Sequence, residues 1–332
     1  MNMPAHLRAP DFLHKYAETP LSEQYIAAGS LCRLETNSEA VLEAATRSFL
    51  RNGDRHTLTA NGFSLRVWVD ESDGAQGPWP KPYVRGLDHL VFAGFDSKSS
   101  FLADLSTRRV IGRVSLAMAQ DIRYWRMTIF PMLMTIVSGS VGLLELHAAC
   151  IARGEDGVLL LGTGRSGKST LAMAMSYAGH RVLSDDRVFC SLGEGAIRAY
   201  GLPRPVKIRE DAAKWFEQLR SKKAVDVQNG EAVFYSEVDG AESQPNREPC
   251  EPRALIFLER HADEACRITR MRRSETRTRI EGELLAEAPD AQERQEQVME
   301  KLLEIPAWQL RYGTDPHRVA EHLGRFLPGT AQ

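Results

Sequence analysis

The chain has 332 residues, 43% of them hydrophobic and 26% charged, with a formal net charge of −2. That length suits one large or two ordinary domains, and the apolar share excludes wholesale disorder. A charge so close to zero leaves no global basic footprint for nucleic acid. The five cysteines, Cys32, Cys150, Cys190, Cys250 and Cys266, form no C-x-x-C pair of the kind that marks a zinc site or a disulfide framework. Cysteines used this way fit a reducing, cytoplasmic compartment. Residues 1–20 are polar and broken by prolines, with no apolar core of signal-peptide type.

Residues 1–115 are expected to form a smaller N-terminal α+β module. Residues 31–34 alternate like a strand, and Asn37 or Ser38 then caps a helix over about 40–50. Residues 63–69 alternate cleanly between apolar and polar positions, as a half-buried strand does. Residues 71–82, dense in Gly, Pro and Asp, read as a loop. A strand over 89–95 and a hairpin of 100–105 with 109–115 complete the module. It carries no chemical motif, and its loops suit substrate recognition and oligomerisation equally.

Residues 116–332 are expected to form the second domain, opening with one long helix over 118–138. The apolar stretch 127–146 contains a single charge, Glu145. Pro131, Gly139 and Gly142 within it favour a helix packed on a sheet over a membrane span. Strands follow at 143–151 and 157–161. Gly162-Thr163-Gly164-Arg165-Ser166-Gly167-Lys168-Ser169 then fits the P-loop pattern G-x-x-x-x-G-K-[ST] without a mismatch. Glycines there let consecutive N–H groups turn inward around a polyphosphate. The helix that follows, expected over 171–177, presents its positive end to the same anion.

A strand over 181–184 leads to Asp185-Asp186. Side chains at the C-terminal ends of such strands face the ligand crevice. Phosphoryl transfer needs a metal to neutralise the phosphates and a group that orients or deprotonates the acceptor, and two adjacent carboxylates can divide those tasks. The competing reading is an Asp-rich turn, and the neighbouring P-loop weighs against it. His147 suits a hydrogen bond to a phosphate or a carboxylate, but a lone histidine in an apolar run is more often a core residue, and spacing does not single it out. Arg204, between Pro203 and Pro205, and Lys207 suit phosphate recognition or a rigid surface turn equally. Glu259-Arg260, after a strand over 254–258, is as open. A helix is expected over 207–220, then a polar stretch 221–252 of the length of a lid, binding loop or disordered segment. A helix over 291–304, a strand over 307–312 and a helix over 316–326 end the chain.

Together, His147, the P-loop and Asp185-Asp186 resemble the catalytic domain of the bacterial HPr kinase/phosphorylase family. The resemblance runs from Leu146-His147-Ala148-Ala149 through the P-loop to Gly179-His180-Arg181-Val182-Leu183-Ser184-Asp185-Asp186-Arg187-Val188. It implies an α/β fold, with a P-loop kinase domain of HPr kinase/PEP carboxykinase-like type beside the smaller N-terminal module. Gly162, Thr163, Gly164, Arg165, Ser166, Gly167, Lys168, Ser169 and Thr170 would then hold ATP; Arg204, on its own chemistry rather than the resemblance, is a candidate further phosphate contact. Ser169 and Asp185 would hold Mg²⁺, Asp186 would be the general base, and His147 would join the catalytic site beside Lys168. The implied reaction moves the γ-phosphoryl group to a hydroxyl, serine in a peptide or protein. A kinase of a free serine-like metabolite and a non-catalytic nucleotide-dependent regulatory module are the alternatives. No nucleic-acid or membrane partner is implied, and the family's tendency to assemble implies a homo-oligomer. The chain departs from the family at Thr170, where a glutamate is usual. It also departs at Arg198, which takes the place of a metal-holding glutamate when residues 198–203 are aligned on Gly201.

Overall fold

The structure, a computed structural model, describes residues 18–52, 60–70, 76–193, 195–202, 204–220, 224, 226–228, 231–236, 248–261, 266–282, 289–313 and 315–327. It is a mixed α/β fold with four sheets among these residues. The first is eight-stranded and lies wholly within residues 21–115. Leu21–Ala27 and Ser30–Thr36 form an antiparallel hairpin whose turn uses left-handed backbone at Ala28 (φ 50°) and Gly29 (φ 81°). Phe63–Asp70 runs parallel to both Ser30–Thr36 and Arg109–Ser115. From Arg109–Ser115 the sheet continues as an antiparallel meander through Ser100–Asp104 and Leu90–Gly94 to the exposed edge strand Tyr83–Leu87. That edge strand adjoins the expected loop 71–82, of which residues 71–75 lie outside the described residues.

The single helix expected over 118–138 is instead broken. Leu116–Gln120 stops at Asp121, whose backbone (φ −81°, ψ 74°) leaves the helical region. The Asp121 carboxylate accepts the Tyr124 amide (2.9 Å) and the Trp79 indole N–H (2.8 Å). The helix resumes at Ile122, widens into a π-turn over Trp125–Ile129 and runs on as Phe130–Val141 to Gly142. No described helix is long and apolar enough to cross a membrane. This segment packs on the first sheet: Met118, Trp125, Phe130 and Met134 share one core with Tyr25, Val67 and Phe101. The same core takes in Phe189, Tyr200 and Leu202 from much later in the chain. A cut between residues 115 and 116 therefore passes through this core.

The second sheet has six strands. At its centre Asp156–Leu161, Glu251–Arg260 and Ala307–Tyr312 run parallel. Their apolar runs, such as Leu159-Leu160-Leu161 and Leu255-Ile256-Phe257, are buried, as strands covered on both faces must be. Leu171 and Ala174 of one helix and Val319 and Leu323 of another cover one face, and Val298, Met299 and Leu302 cover the other. The C-terminal ends of the parallel strands lead into the P-loop, Arg260 and Tyr312.

Two three-stranded sheets complete the architecture. In one, Leu144–Leu146 pairs with Val188–Leu192. The chain then enters the six-stranded sheet at Ala148–Arg153, so His147 marks a crossing between sheets. The other joins Val206–Arg209, Glu231–Ser236 and Asp226–Gln228. This corrects the helix expected over 207–220. Val206 and Ile208 are buried, strand-like, and only the short helices Glu210–Ala213 and Glu217–Arg220 follow. Pro205 also biases Arg204 away from helical backbone. The polar stretch 221–252 contributes two strands to this sheet and the start of Glu251–Arg260. Most of the rest of that stretch lies outside the described residues, as does Pro203.

Candidate functional site

The P-loop joins strand Asp156–Leu161 to helix Lys168–Tyr177. Gly162 (φ 145°) and Gly167 (φ 98°) take backbone that a side chain would strain. A Cβ on Gly167 would also lie 2.0 Å from the Tyr312 hydroxyl oxygen. That hydroxyl donates to the Ser166 carbonyl from the far side of the loop. Burial pushes the Tyr312 phenol up to about 12, against the opposing pull of Arg260, so it remains a donor at neutral pH. Lys168 is buried, and its Nζ donates to the Gly162 carbonyl (2.5 Å) and the Thr163 carbonyl (3.3 Å). The buried Ser166 Oγ has no hydrogen-bond partner among the described residues.

The facing wall begins where strand Arg181–Ser184 ends. The Ser184 hydroxyl accepts the amides of Asp186 (3.3 Å) and Arg187 (3.0 Å), which fixes the turn. Asp185 is buried; its carboxylate accepts from Arg204 Nη2 (3.3 Å) and the Lys207 amide (3.4 Å). Its carbonyl oxygen lies 3.5 Å from the Ser169 hydroxyl. Asp186 places Oδ1 3.2 Å from His147 Nε2 and Oδ2 2.8 Å from Arg204 Nη2. Burial pushes its carboxyl up. The His147 hydrogen bond and the charges of Arg204 and Arg187 outweigh that, and hold it well below the usual carboxylate range. Arg187 itself is anchored by Glu145 and by the Thr135 hydroxyl (2.7 Å).

Between the walls is a cavity of about 400 Å³, within the ordinary size of a small-molecule site. Gly164 to Thr170 line one side, and His147, Asp185, Asp186, Lys207, Arg209, Asp211, Ala212 and Arg260 line the rest. Strand alternation explains Lys207 and Arg209: the buried Val206 and Ile208 point away from them. Gly162 and Thr163 form the back of the loop as the acceptors of Lys168. Arg204 does not line the cavity; it stands behind, bridging both carboxylates. Arg198 does not line it either; it lies against the turn at Gly193, where a Cβ would meet its Cγ at 3.0 Å.

Arg209, Asp211 and Tyr312 were not singled out by the sequence. The Val-Lys-Ile-Arg alternation after Pro205 is a strand signal that would have found Arg209. Nothing local marks Tyr312, which acts on a loop 146 positions earlier in the chain.

The glycine cradle, the unpaired Ser166 hydroxyl and the buried Lys168 fit a polyphosphate. Ser169 and Asp185 are the residues that would hold Mg²⁺. Among the described residues no group of three or more His, Cys, Asp or Glu gathers for a metal. Mg²⁺ bound through one or two protein oxygens, substrate phosphates and water needs no such cage.

No protein-family model matches the chain, and no curated protein matches it. Among solved structures it is similar to the HPr(Ser) kinase/phosphatase from Coxiella burnetii, with a TM-score of 0.28 and 13% identity over 55% of this chain and 94% of that one.

Proposed function

We propose that this protein is an ATP-dependent phosphotransferase that moves the γ-phosphoryl group to a hydroxyl, serine in a peptide or protein. The observation that carries this reading is a single cavity lined on one side by a P-loop and on the other by Asp186 with its partner His147. The resemblance of residues 146–188 to HPr kinases supports the P-loop kinase type.

Loop amides and Lys168 neutralise the phosphates, with the lysine turning from the Gly162 and Thr163 carbonyls to the anion. Mg²⁺, held by Ser169 and Asp185, supplies further charge neutralisation when bound. The acceptor oxygen forms its bond to the γ-phosphorus as the bond to the ADP oxygen breaks, and the hydroxyl proton goes to Asp186. The transition state of phosphoryl transfer is loose in most analyses, and positioning contributes more than basicity. A carboxylate held low by His147 and Arg204 is a poor base but a well-fixed one, which suits late proton transfer. His147, donating its Nε2–H to Asp186 Oδ1, keeps that carboxylate oriented towards the acceptor while it takes the proton.

A nucleotide-dependent regulatory module is the second reading. Arg204 favours it, because that arginine already compensates both carboxylates. The deciding experiment follows the labelled γ-phosphate of Mg·ATP, using purified protein and a lysate fractionated by size. Label in the peptide or protein fraction, lost in Asp186→Asn, supports the proposal. Label in the small-molecule fraction gives a metabolite kinase instead. Free phosphate alone, or no turnover, rejects transfer and leaves the regulatory module.

A further inference from the structure

The P-loop cavity does not end at the phosphate cradle. A second cavity of about 300 Å³ adjoins it, lined by Asp211, Lys214, Trp215, Arg260 and His261. Asp211 and Arg260 line both spaces and pair across the junction at 3.8 Å. We infer that this second cavity is the nucleoside subsite of the nucleotide whose phosphates the P-loop holds. The base stacks on Trp215, Asp211 accepts from the ribose hydroxyls, and Arg260 meets the phosphates at the junction. The inference rests on the nucleotide reading above.

The direction of the ligand follows from the two linings. Asp186 and His147 line the first cavity and not the second. The transferred phosphoryl group must sit beside Asp186, so the remainder of the nucleotide extends the other way. A P-loop reads only phosphates, and the base needs a flat, partly apolar surface of its own. Trp215 is the large flat side chain of the second cavity, half-buried, with the Lys214 ammonium 5.7 Å from its ring centroid.

Trp215 is held in place from both sides of its backbone, and its neighbour packs on the P-loop helix. Its amide donates to the Ala212 carbonyl (3.1 Å), and its own carbonyl accepts from the His317 ring (3.0 Å). The adjacent Phe216 is fully buried and stacks on Tyr177 with centroids 5.6 Å apart. Tyr177 ends the helix that Lys168 begins. The helix that carries the phosphate cradle at one end thus packs, at its other end, on the residue next to the stacking surface.

The test compares Mg·ATP with Mg·tripolyphosphate, which carries the phosphates without the nucleoside, by calorimetry on the full chain. Trp215→Ala should weaken ATP by between about 5-fold and 150-fold, the span of base–aromatic stacking. It should leave tripolyphosphate unchanged, and Trp215→Phe should restore most of the ATP affinity. Equal losses for both ligands, or none for ATP, would overturn the nucleoside subsite while leaving the P-loop reading intact. Failure of the wild-type protein to bind either ligand would remove that reading, and the subsite with it. If Trp215→Ala does not fold, indole fluorescence decides the same question. Quenching by ATP but not by tripolyphosphate, and absent in Trp215→Phe, supports the subsite, and any other pattern rejects it.

Discussion

The two walls of the cavity are built differently. The P-loop wall is one continuous run, Gly162 to Thr170, shaped by backbone dihedrals and closed on itself by Lys168. The facing wall gathers His147, Asp186 and Arg260 from separate strand ends, with Arg204 behind them. An anion cradle needs only local geometry. An acid–base group with a tuned environment needs several elements to converge. Changes to the first wall should therefore act on nucleotide binding, and changes to the second on the chemical step.

The largest effects separate the walls most sharply. Asp186→Asn is expected to lower kcat by about 10²–10⁴-fold, the range of a positioned acid–base group, with calorimetric ATP affinity retained. Lys168→Ala should instead lose ATP binding, and transfer with it. Loss of binding in Asp186→Asn would erase the distinction.

Arg204 tests how the second wall is held. Arg204→Ala leaves Asp185 buried without its cation, and should cost about 3–5 kcal/mol in urea unfolding. The pH dependence has a definite sign. Asp186 is depressed in the folded state, so its ionised form stabilises the protein fully above the ordinary carboxylate value of about 3.9. That contribution is lost as pH falls from there through the depressed folded value. The stability gap between wild type and Asp186→Asn should be flat near neutrality and close only in strong acid. A gap closing between pH 6 and 5 would contradict the ion pairs described.

Smaller effects probe the first wall. Gly167→Ala forces left-handed backbone on an alanine, at about 1–2 kcal/mol, and drives its Cβ onto the Tyr312 hydroxyl. Adding Tyr312→Phe removes the clashing oxygen, so the double variant should recover part of the loss. Tyr312→Phe alone should cost about 1 kcal/mol, the worth of one ordinary hydrogen bond, with a modest loss of ATP affinity. If the single and double variants simply add, the two residues do not meet as described.

The parts of this molecule legible in its sequence are those specified locally. The strand Phe63–Asp70, the hairpin joining Ser100–Asp104 to Arg109–Ser115 and the P-loop with its flanking strand and helix all follow from period, turn residues or motif. The missed elements depend on distant partners. Asp121 breaks the helix while its carboxylate is held by Trp79, from another part of the chain. Val206–Arg209, whose alternation is a weak strand signal on its own, is completed by Glu231–Ser236, inside a polar stretch without clear periodicity. In the site, the Gly162–Thr170 cradle and Asp185-Asp186 were readable. His147 entered through resemblance, since nothing local says that the chain changes sheets there. The partners that set the character of Asp186 could not be read, because a carboxylate's environment is a property of the assembled fold.

The core that joins the first sheet to Phe189, Tyr200 and Leu202 also bears on how this protein can be divided. Trp125, Phe130 and Val137 find cover on the first sheet, while Arg187, next to Asp186, leans on Thr135 in the helix they build. A fragment starting at residue 116 would carry every residue of the cavity and still strip the apolar face on which its acidic wall is mounted. The N-terminal sheet is thus part of the foundation of the site, and a substitution deep within it is expected to register in turnover.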